Sequence, residues 1–515
     1  MGFLAENRIL KHFNRQLSLS FLVIAISTLN YGFDNAGYST TQAMEPFQKQ
    51  FGNYDEATGK YRIPPQWLSL FNSLNYIGFG AGVIIGSLVS ARWGRRWCMF
   101  SMSAWALIPA ALAVSSTTRE QILAARILNY IYIGMELAVV PVYQSEIMPT
   151  EIRGFAVGSY QFSLMLGSLL VNGVCRGTST LPGNEAWRIP FGLFFVVPVI
   201  VMGLIFFIPE SPRWLLTRDR KDEARVALGK LRGGIFTDAE IDKQFDALSY
   251  ALQIEPEQGN YRELFQNKNI KRTAIVVAMN FFQQATGQSF ASSYGAIFIR
   301  DIGTVNPFTM TLINSIVNLV TAFVGLYLVD RHGRRPLLFI GSAWMFCAIA
   351  TMGSLGTVPS PSFVVKTAIV SMLTVFAAGF VFSWAPLNYV ITTEVPALRL
   401  RDASQRTASI VNVVTQFLVN FSIPYLIYPE YAGLGSKVGF IFAGILVLTV
   451  VFTYFAVPEC KGKSLEQIDR LFNEGASLRK FGKYKSEEVT SSEDVGLGAG
   501  NADSKGKVEL RENSV

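Results

Sequence analysis

Ala91-Arg92-Trp93-Gly94-Arg95-Arg96 and Asp330-Arg331-His332-Gly333-Arg334-Arg335 decide the fold, because they are one short loop written twice. Outward from each loop, a Glu is followed by an Arg at the same offset: Glu146 with Arg153, and Glu394 with Arg401. Each series then closes on a Pro-Glu pair, in Pro209-Glu210-Ser211-Pro212-Arg213 and in Pro458-Glu459-Cys460-Lys461-Gly462. Three motifs repeated in one order at nearly constant spacing indicate a duplicated unit.

The repeats punctuate long apolar runs. Half of the 515 residues are hydrophobic and 16% are charged, and mean hydropathy is +0.31. Stretches such as Leu19–Thr28, Phe191–Ile208 and Val438–Val457 approach the roughly 20 residues that cross a bilayer core. About twelve such spans begin near Leu17, Leu68, Trp97, Gln121, Phe155, Ala186, Lys271, Pro307, Pro336, Phe363, Ala403 and Lys437. The expectation is an all-α membrane protein with twelve transmembrane helices in two pseudo-symmetric six-helix bundles and a pathway between them. Residues 17–208 form the first bundle and 271–457 the second. A cytoplasmic N-terminus (1–16), a linker of short helices (209–270) and a cytoplasmic tail (458–515) complete the chain. The tail, rich in Ser, Gly, Glu and Lys, reads as disordered beyond about 476.

Charge and composition exclude several classes. The net charge of +8 lies in loops on one side of the spans, including Arg92, Arg95, Arg96, Arg331, Arg334 and Arg335. The positive-inside rule then puts both termini in the cytoplasm. No feature asks for nucleic acid. The polar N-terminus runs into the first span without a cleavage pattern, so that span reads as a retained anchor. Four scattered cysteines and two histidines, His12 and His332, form neither a disulfide framework nor a metal site. No GxxxxGK[ST] loop or hydrolase constellation is present. The reading is a non-enzyme without cofactor or metal.

Polar groups inside the spans carry the chemistry. Asp34 in the first span and Arg126 in the fourth are costly in hydrocarbon unless paired or hydrated. Helix rise puts them at similar depth, which suggests a pair. A proton carrier and a static ion pair both fit. Glu136, further along the fourth span, is either a second titrating site or a hydrogen-bonded interhelical contact. Mid-span amides suit a polyhydroxylated solute, because one amide both donates and accepts; they also serve as interhelical glue. Gln161, Gln283, Gln284, Asn318 and Asn412 are the candidates. Gly379 and Pro386 offer either a flexible helix break or simple packing.

The paired RxGRR loops, the Pro-Glu-Ser-Pro-Arg run, Gln283-Gln284 with Gly287 and the Pro-Glu-x-Lys-Gly close resemble the sugar porter family of the major facilitator superfamily, over Leu17 to Phe472. Ala43–Gly52, Trp187-Arg188-Ile189-Pro190 and Glu394–Arg401 look most like fungal alpha-glucoside and sugar:proton symporters. The resemblance implies the major facilitator fold and a sugar transporter working by alternating access, with proton symport of a mono- or disaccharide. It implies proton coupling at Asp34 and Arg126 and sugar contacts at Gln161, Gln283, Gln284, Asn318 and Asn412. It also implies gating salt bridges, Arg96 with Glu146 and Arg153, and Asp330 and Arg335 with Glu394 and Arg401. Topological anchoring is the alternative for these arginines. Ala91 replaces the acid usual in the first loop.

Departures bear on the substrate. Gln288 and Ser289 follow Gly287 where Asn is usual, and Ala385-Pro386-Leu387-Asn388-Tyr389 replaces Gly-Pro-x-x-Trp. Gln288, Ser289, Asn388 and Tyr389 therefore join the binding candidates, and Ser168, Ser292 and Ser293 add room and polarity. The expected partners are a sugar, protons and the lipid bilayer, for a monomer in the plasma membrane. A non-transporting sugar sensor is the rival of another class; a carrier of a polyol, quinate or other small metabolite is the nearer one.

Overall fold

The computed structural model describes residues 13–56, 59–149, 152–253, 260–266, 269–463 and 465–484, apart from a few side chains, Arg153 and Asp330 among them. Helices occupy all twelve expected places. The first half runs through Arg15–Thr41, Pro65–Trp93, Arg95–Ser115, Arg119–Ile147, Arg153–Thr178 and Glu185–Phe207. In the second half, three pieces, Asn269–Ala285, Gln288–Ser293 and Gly295–Ile302, are followed by Pro307–His332, Arg334–Leu355, Phe363–Glu394, Arg401–Ile427 and Val438–Ala456.

Ten of the described helices are long and apolar enough to cross a membrane on composition alone. The fifth and seventh segments are the other two; the seventh runs only 17 residues to its break, and both carry polar groups. Gln161, Ser163, Ser168 and Asn172 lie in the fifth; Asn280, Gln283 and Gln284 precede a break in the seventh. Polar residues in a membrane bundle mark interiors and pathways.

Helix approach is set by small residues. Gly78, Gly82 and Gly86 line one face of the second span at fourfold spacing, and a Cβ at any of them would run into Ile127, Ile131 or Met135 of the fourth. With lipid on both sides there is little hydrophobic drive between helices, so close backbone packing takes its place. The seventh span breaks at Gly287, whose φ of +95° favours glycine and whose Cα packs on the Phe442 ring. The tenth breaks at Ser383 (φ −125°, ψ −70°), between Gly379 and Pro386 rather than at either.

The face that carries the linker, here the linker face, is organised by the repeats. Linker residues near each half bind that half. Trp214 Nε1 donates to Ala91 O (3.0 Å), and Arg232 Nη1 to Ile147 O (2.8 Å). Beyond 254–259, Glu263 pairs with Arg399 (2.6 Å) and Thr273 donates to Leu264 O (2.7 Å). At the other end of the chain, order extends past 476. Leu478–Lys483 forms a 3-10 turn, and Phe481 is fully buried against Phe472. An aromatic spaced to reach its neighbour's pocket outweighs the polar composition around it. Residues 485–515 lie outside the described residues.

Candidate functional site

The seventh span begins the site. Asn280, Gln283 and Gln284 fall three or four apart along one helix, so they share a face. Gln283 Oε1 accepts from Asn388 Nδ2 of the tenth span and from Asn412 Nδ2 of the eleventh, both at 2.8 Å. Asn280 Oδ1 accepts from the same two groups at 3.3 and 3.2 Å. Gln284 Nε2 returns a bond to Asn412 Oδ1 at 3.1 Å. Five neutral amides from three helices thus form one network, with the Asn388 carbonyl oxygen buried and without a hydrogen-bond partner. Asn280 was missed in the sequence, although its i, i+3 spacing to Gln283 was the available signal.

A second patch lies just beyond the Gly287 break. Ser289 Oγ accepts from Asn420 Nδ2 (3.0 Å), and Tyr294 donates to Asn420 O (2.6 Å). Asn420, also unforeseen, stands two turns from Asn412 on the eleventh span. Gln288 Oε1 and Asn318 Oδ1 are buried acceptors with no partner. Gln161 is half-buried. Tyr389 is 61% exposed, yet it lies within electrostatic reach of Tyr31 and Tyr160 of the first half. Its exposure is therefore toward the space between the halves. The arrangement offers many acceptors and donors and no net charge, which is the chemistry that hydroxyl groups match.

The charged groups lie in the first half. Asp34 and Arg126 are 1% and 2% exposed. They do not form the direct pair expected from their depth. Asp34 Oδ2 accepts from Asn30 (3.3 Å) and Asn129 (3.4 Å), and its Oδ1 has no hydrogen-bond partner. Arg126 instead donates to Asn72 Oδ1 (3.0 Å) and to Phe71 O, with its guanidinium 4.8 Å from the Tyr38 ring centre and 5.6 Å from that of Tyr130. Similar depth is not the same azimuth: Arg126 turns toward the second span, and Asn129, not Arg126, meets Asp34.

The repeated loops also differ from expectation, by one residue in each half. Arg95, not Arg96, holds Glu146 in a bidentate pair (2.8 and 2.9 Å), and Arg334, not Arg335, holds Glu394 (2.7 Å). Arg96 reaches Ile205 O and Phe206 O, while Arg335 reaches Tyr454 O. Each glycine ends one helix and the next begins immediately, so consecutive arginines diverge by about 100°. The Pro-Glu pairs serve these loops. Glu210 accepts from the backbone N–H of Arg95 and Arg96 (2.9 and 3.2 Å), and Glu459 from those of Arg334 and Arg335 (3.1 and 2.9 Å). A carboxylate at a helix N-terminus satisfies otherwise unpaired donors and opposes the helix dipole. Gly94 (φ +98°) and Gly333 (φ +88°) leave room for those carboxylates, since a Cβ would collide with each. Arg401 Nε and Nη2 are buried without hydrogen-bond partners. The side chains of Arg153 and Asp330 lie outside those described.

Polar contacts join the two halves toward the face opposite the linker. Asn172 donates to Ser315 (2.8 Å), Arg176 to Thr309 (2.8 Å), Gln66 to Tyr431 (3.1 Å) and Ser69 to Phe421 O (2.7 Å).

A family model described as Sugar (and other) transporter matches residues 20–472. The major facilitator-type transporter ecdD of Aspergillus rugulosus is 30% identical, over 92% of this chain and 91% of its own. Sugar transport protein 10 of Arabidopsis thaliana is 27% identical, over 90% and 92%. The fold matches the inward open conformation of the xylose transporter XylE from E. coli with a TM-score of 0.72 at 22% identity, covering 88% of this chain and 98% of that one. The chain therefore belongs to the sugar transporter family of major facilitator proteins, and it is a twelve-span membrane transporter that works by alternating access.

Proposed function

We propose that this transporter couples the movement of a mono- or disaccharide to protons, binding the sugar on the amide network and the proton on Asp34. One observation carries the reading: Asp34 is buried, has one unpartnered oxygen and stands apart from Arg126. A carboxyl in that setting is stable when protonated, and Arg126 is already held by Asn72 and Phe71. In the opposite protonation state the carboxylate would attract Arg126 and pull on the second span. Protonation would thereby bias which face is open. Supporting this, the halves are tied at the face away from the linker, as suits a carrier open on the linker side.

By the same reading, sugar hydroxyls engage Gln161, Gln283, Gln284, Gln288, Ser289, Asn318, Asn388 and Asn412, with Tyr389 covering the ring. Tyr389 is a smaller cover than Trp, which fits a site with room for more than one ring. The clamps Arg95–Glu146 and Arg334–Glu394, together with Arg153, Asp330 and Arg401, stiffen the linker face and exchange partners as it opens and closes. Basic loops place that face, and both termini, in the cytoplasm. The protein is a monomer of the plasma membrane.

The test is uptake of a panel of mono- and disaccharides into proteoliposomes, with and without an inward proton gradient. Gradient-driven accumulation of one class is expected. Equal final levels with and without the gradient would remove the coupling, and saturable binding without flux would remove transport of that sugar.

A further inference from the structure

Glu136 is fully buried in the fourth span, and neither carboxyl oxygen has a hydrogen-bond partner. Among the described residues, the groups that act on it are Tyr132 on its own helix, Tyr31 and Asp34 of the first span, and Tyr160 of the fifth. None of these is positive. Arg126 lies ten residues back along the same helix, about 15 Å at helical rise. An ionised carboxylate without a counter-ion in a membrane bundle costs several kcal/mol, so the neutral acid is the stable form there. The neutral form also has a use for its proton. Tyr132, one turn back, has its hydroxyl 3.5 Å from Ser27 O and near the Glu136 carboxyl, and a hydroxyl can donate to one group while accepting from another.

Other polar atoms near this acid also lack hydrogen-bond partners. Asn30 Oδ1, Asp34 Oδ1 and Tyr160 Oη are buried in this condition alongside both Glu136 oxygens. Such atoms are uncommon in folded proteins, and each asks for an explanation, a functional role or bound water among them. The cluster also has an outlet. Tyr31 and Tyr160 are only half-buried, and both feel Tyr389, which borders the space between the halves. Position gives the direction. Asp34 lies nineteen residues into the first span from the linker face, whereas Glu136 lies eleven residues from the linker-face end of the fourth. At helical rise these are about 28 Å and about 16 Å. The two acids repel when both are ionised, so ionisation of one favours the proton on the other.

We propose that Glu136 is a second proton-carrying site, a relay that accepts the proton released by Asp34 and passes it to the linker-face opening. The step starts when neutral Glu136 breaks its own O–H bond and gives that proton to water; one O–H bond on Asp34 then breaks and one forms on Glu136. The proton given to water leaves by way of the Tyr31–Tyr160 side, with no electron transfer. The inference rests on the proton-coupled reading of Asp34 and extends it.

The test is infrared spectroscopy of the purified full-length transporter, read alongside transport. At neutral pH the wild type should show the carbonyl stretch of a protonated carboxylic acid, shifted by deuterium exchange. That band should persist in Asp34→Asn, vanish when Glu136→Gln is added to Asp34→Asn, and move when Glu136→Asp is added instead, which also serves if the glutamine variant does not fold. In proteoliposomes Glu136→Gln should slow gradient-driven uptake at least tenfold more than sugar counterflow. A band in Asp34→Asn that is unchanged when Glu136→Gln is added overturns the proposal, as does a Glu136→Gln variant with unaltered gradient-driven uptake. If instead the wild type never accumulates sugar on a proton gradient, the Asp34 reading fails by itself, and the infrared result still reports whether Glu136 holds a proton.

Discussion

The two halves share a frame but differ inside it. At the linker face each has a glycine turn, an Arg–Glu pair and a Glu accepting from the next helix's first N–H groups. In the interior, the first half buries Asp34, Arg126 and Glu136, whereas the second gathers Asn280, Gln283, Gln284, Asn388 and Asn412. An ionisable group changes its interactions when a proton arrives, and an amide does not. The difference teaches a division of labour. On the proposed reading, the duplicated frame moves the halves, the first half senses protons and the second supplies most of the groups that meet hydroxyls.

The largest expected effect breaks the first half alone. Asp34→Asn should lower the gradient-driven accumulation ratio about a hundredfold, near the upper range of coupling free energies, while equilibrium sugar binding stays within a few-fold. Measuring both in one preparation checks the division. A parallel loss of binding would mean that the halves are not separable.

Next is the reverse experiment. Gln283→Ala removes the oxygen that accepts from both Asn388 and Asn412. Leaving buried amide donors unpaired costs about 1–3 kcal/mol, so sugar Kd should rise about tenfold or more. The number of protons moved per sugar should not change, and equilibrium binding with a proton-flux assay reads both.

A smaller effect sharpens the comparison of the frames. Arg95→Ala and Arg334→Ala should each lower stability by about 1–2 kcal/mol, the scale of a charge-assisted hydrogen bond in a part-buried site. Arg96→Ala should cost less, because its side chain hydrogen-bonds to backbone carbonyls and not to a carboxylate. Thermal unfolding in detergent ranks the three, and Arg96 ranking first would refute the pairing.

The smallest concerns the tie opposite the linker. Gln66→Ala removes an exposed hydrogen bond to Tyr431, worth about 0.5–1 kcal/mol. It should shift the balance between the two openings by no more than about fivefold, read as cysteine accessibility on either face.

The fold was largely legible because hydrocarbon length and repetition leave strong marks. All twelve segments lie where hydropathy and the repeats placed them, including the seventh, which the break at Gly287 divides into short pieces. The candidate site was legible in part. Gln283, Gln284, Asn388 and Asn412 are candidates in the sequence and meet in one network, whereas Asn280 and Asn420 show their place only in the structure. An amide in a span has the same sequence signal whether it lines a site or joins two helices.

What the sequence determined by itself was therefore the number of spans, their duplication and the stock of polar groups buried among them. Those follow from local chemistry and spacing. Only the tertiary structure decided which partner each polar group meets. It put Arg95 rather than Arg96 on Glu146, separated Arg126 from Asp34, broke the tenth span at Ser383, and left Glu136 among tyrosines with no cation among the described residues. The reason is geometric: adjacent residues on a helix point about 100° apart, so a partner depends on how neighbouring helices are rotated and packed, which no single segment specifies.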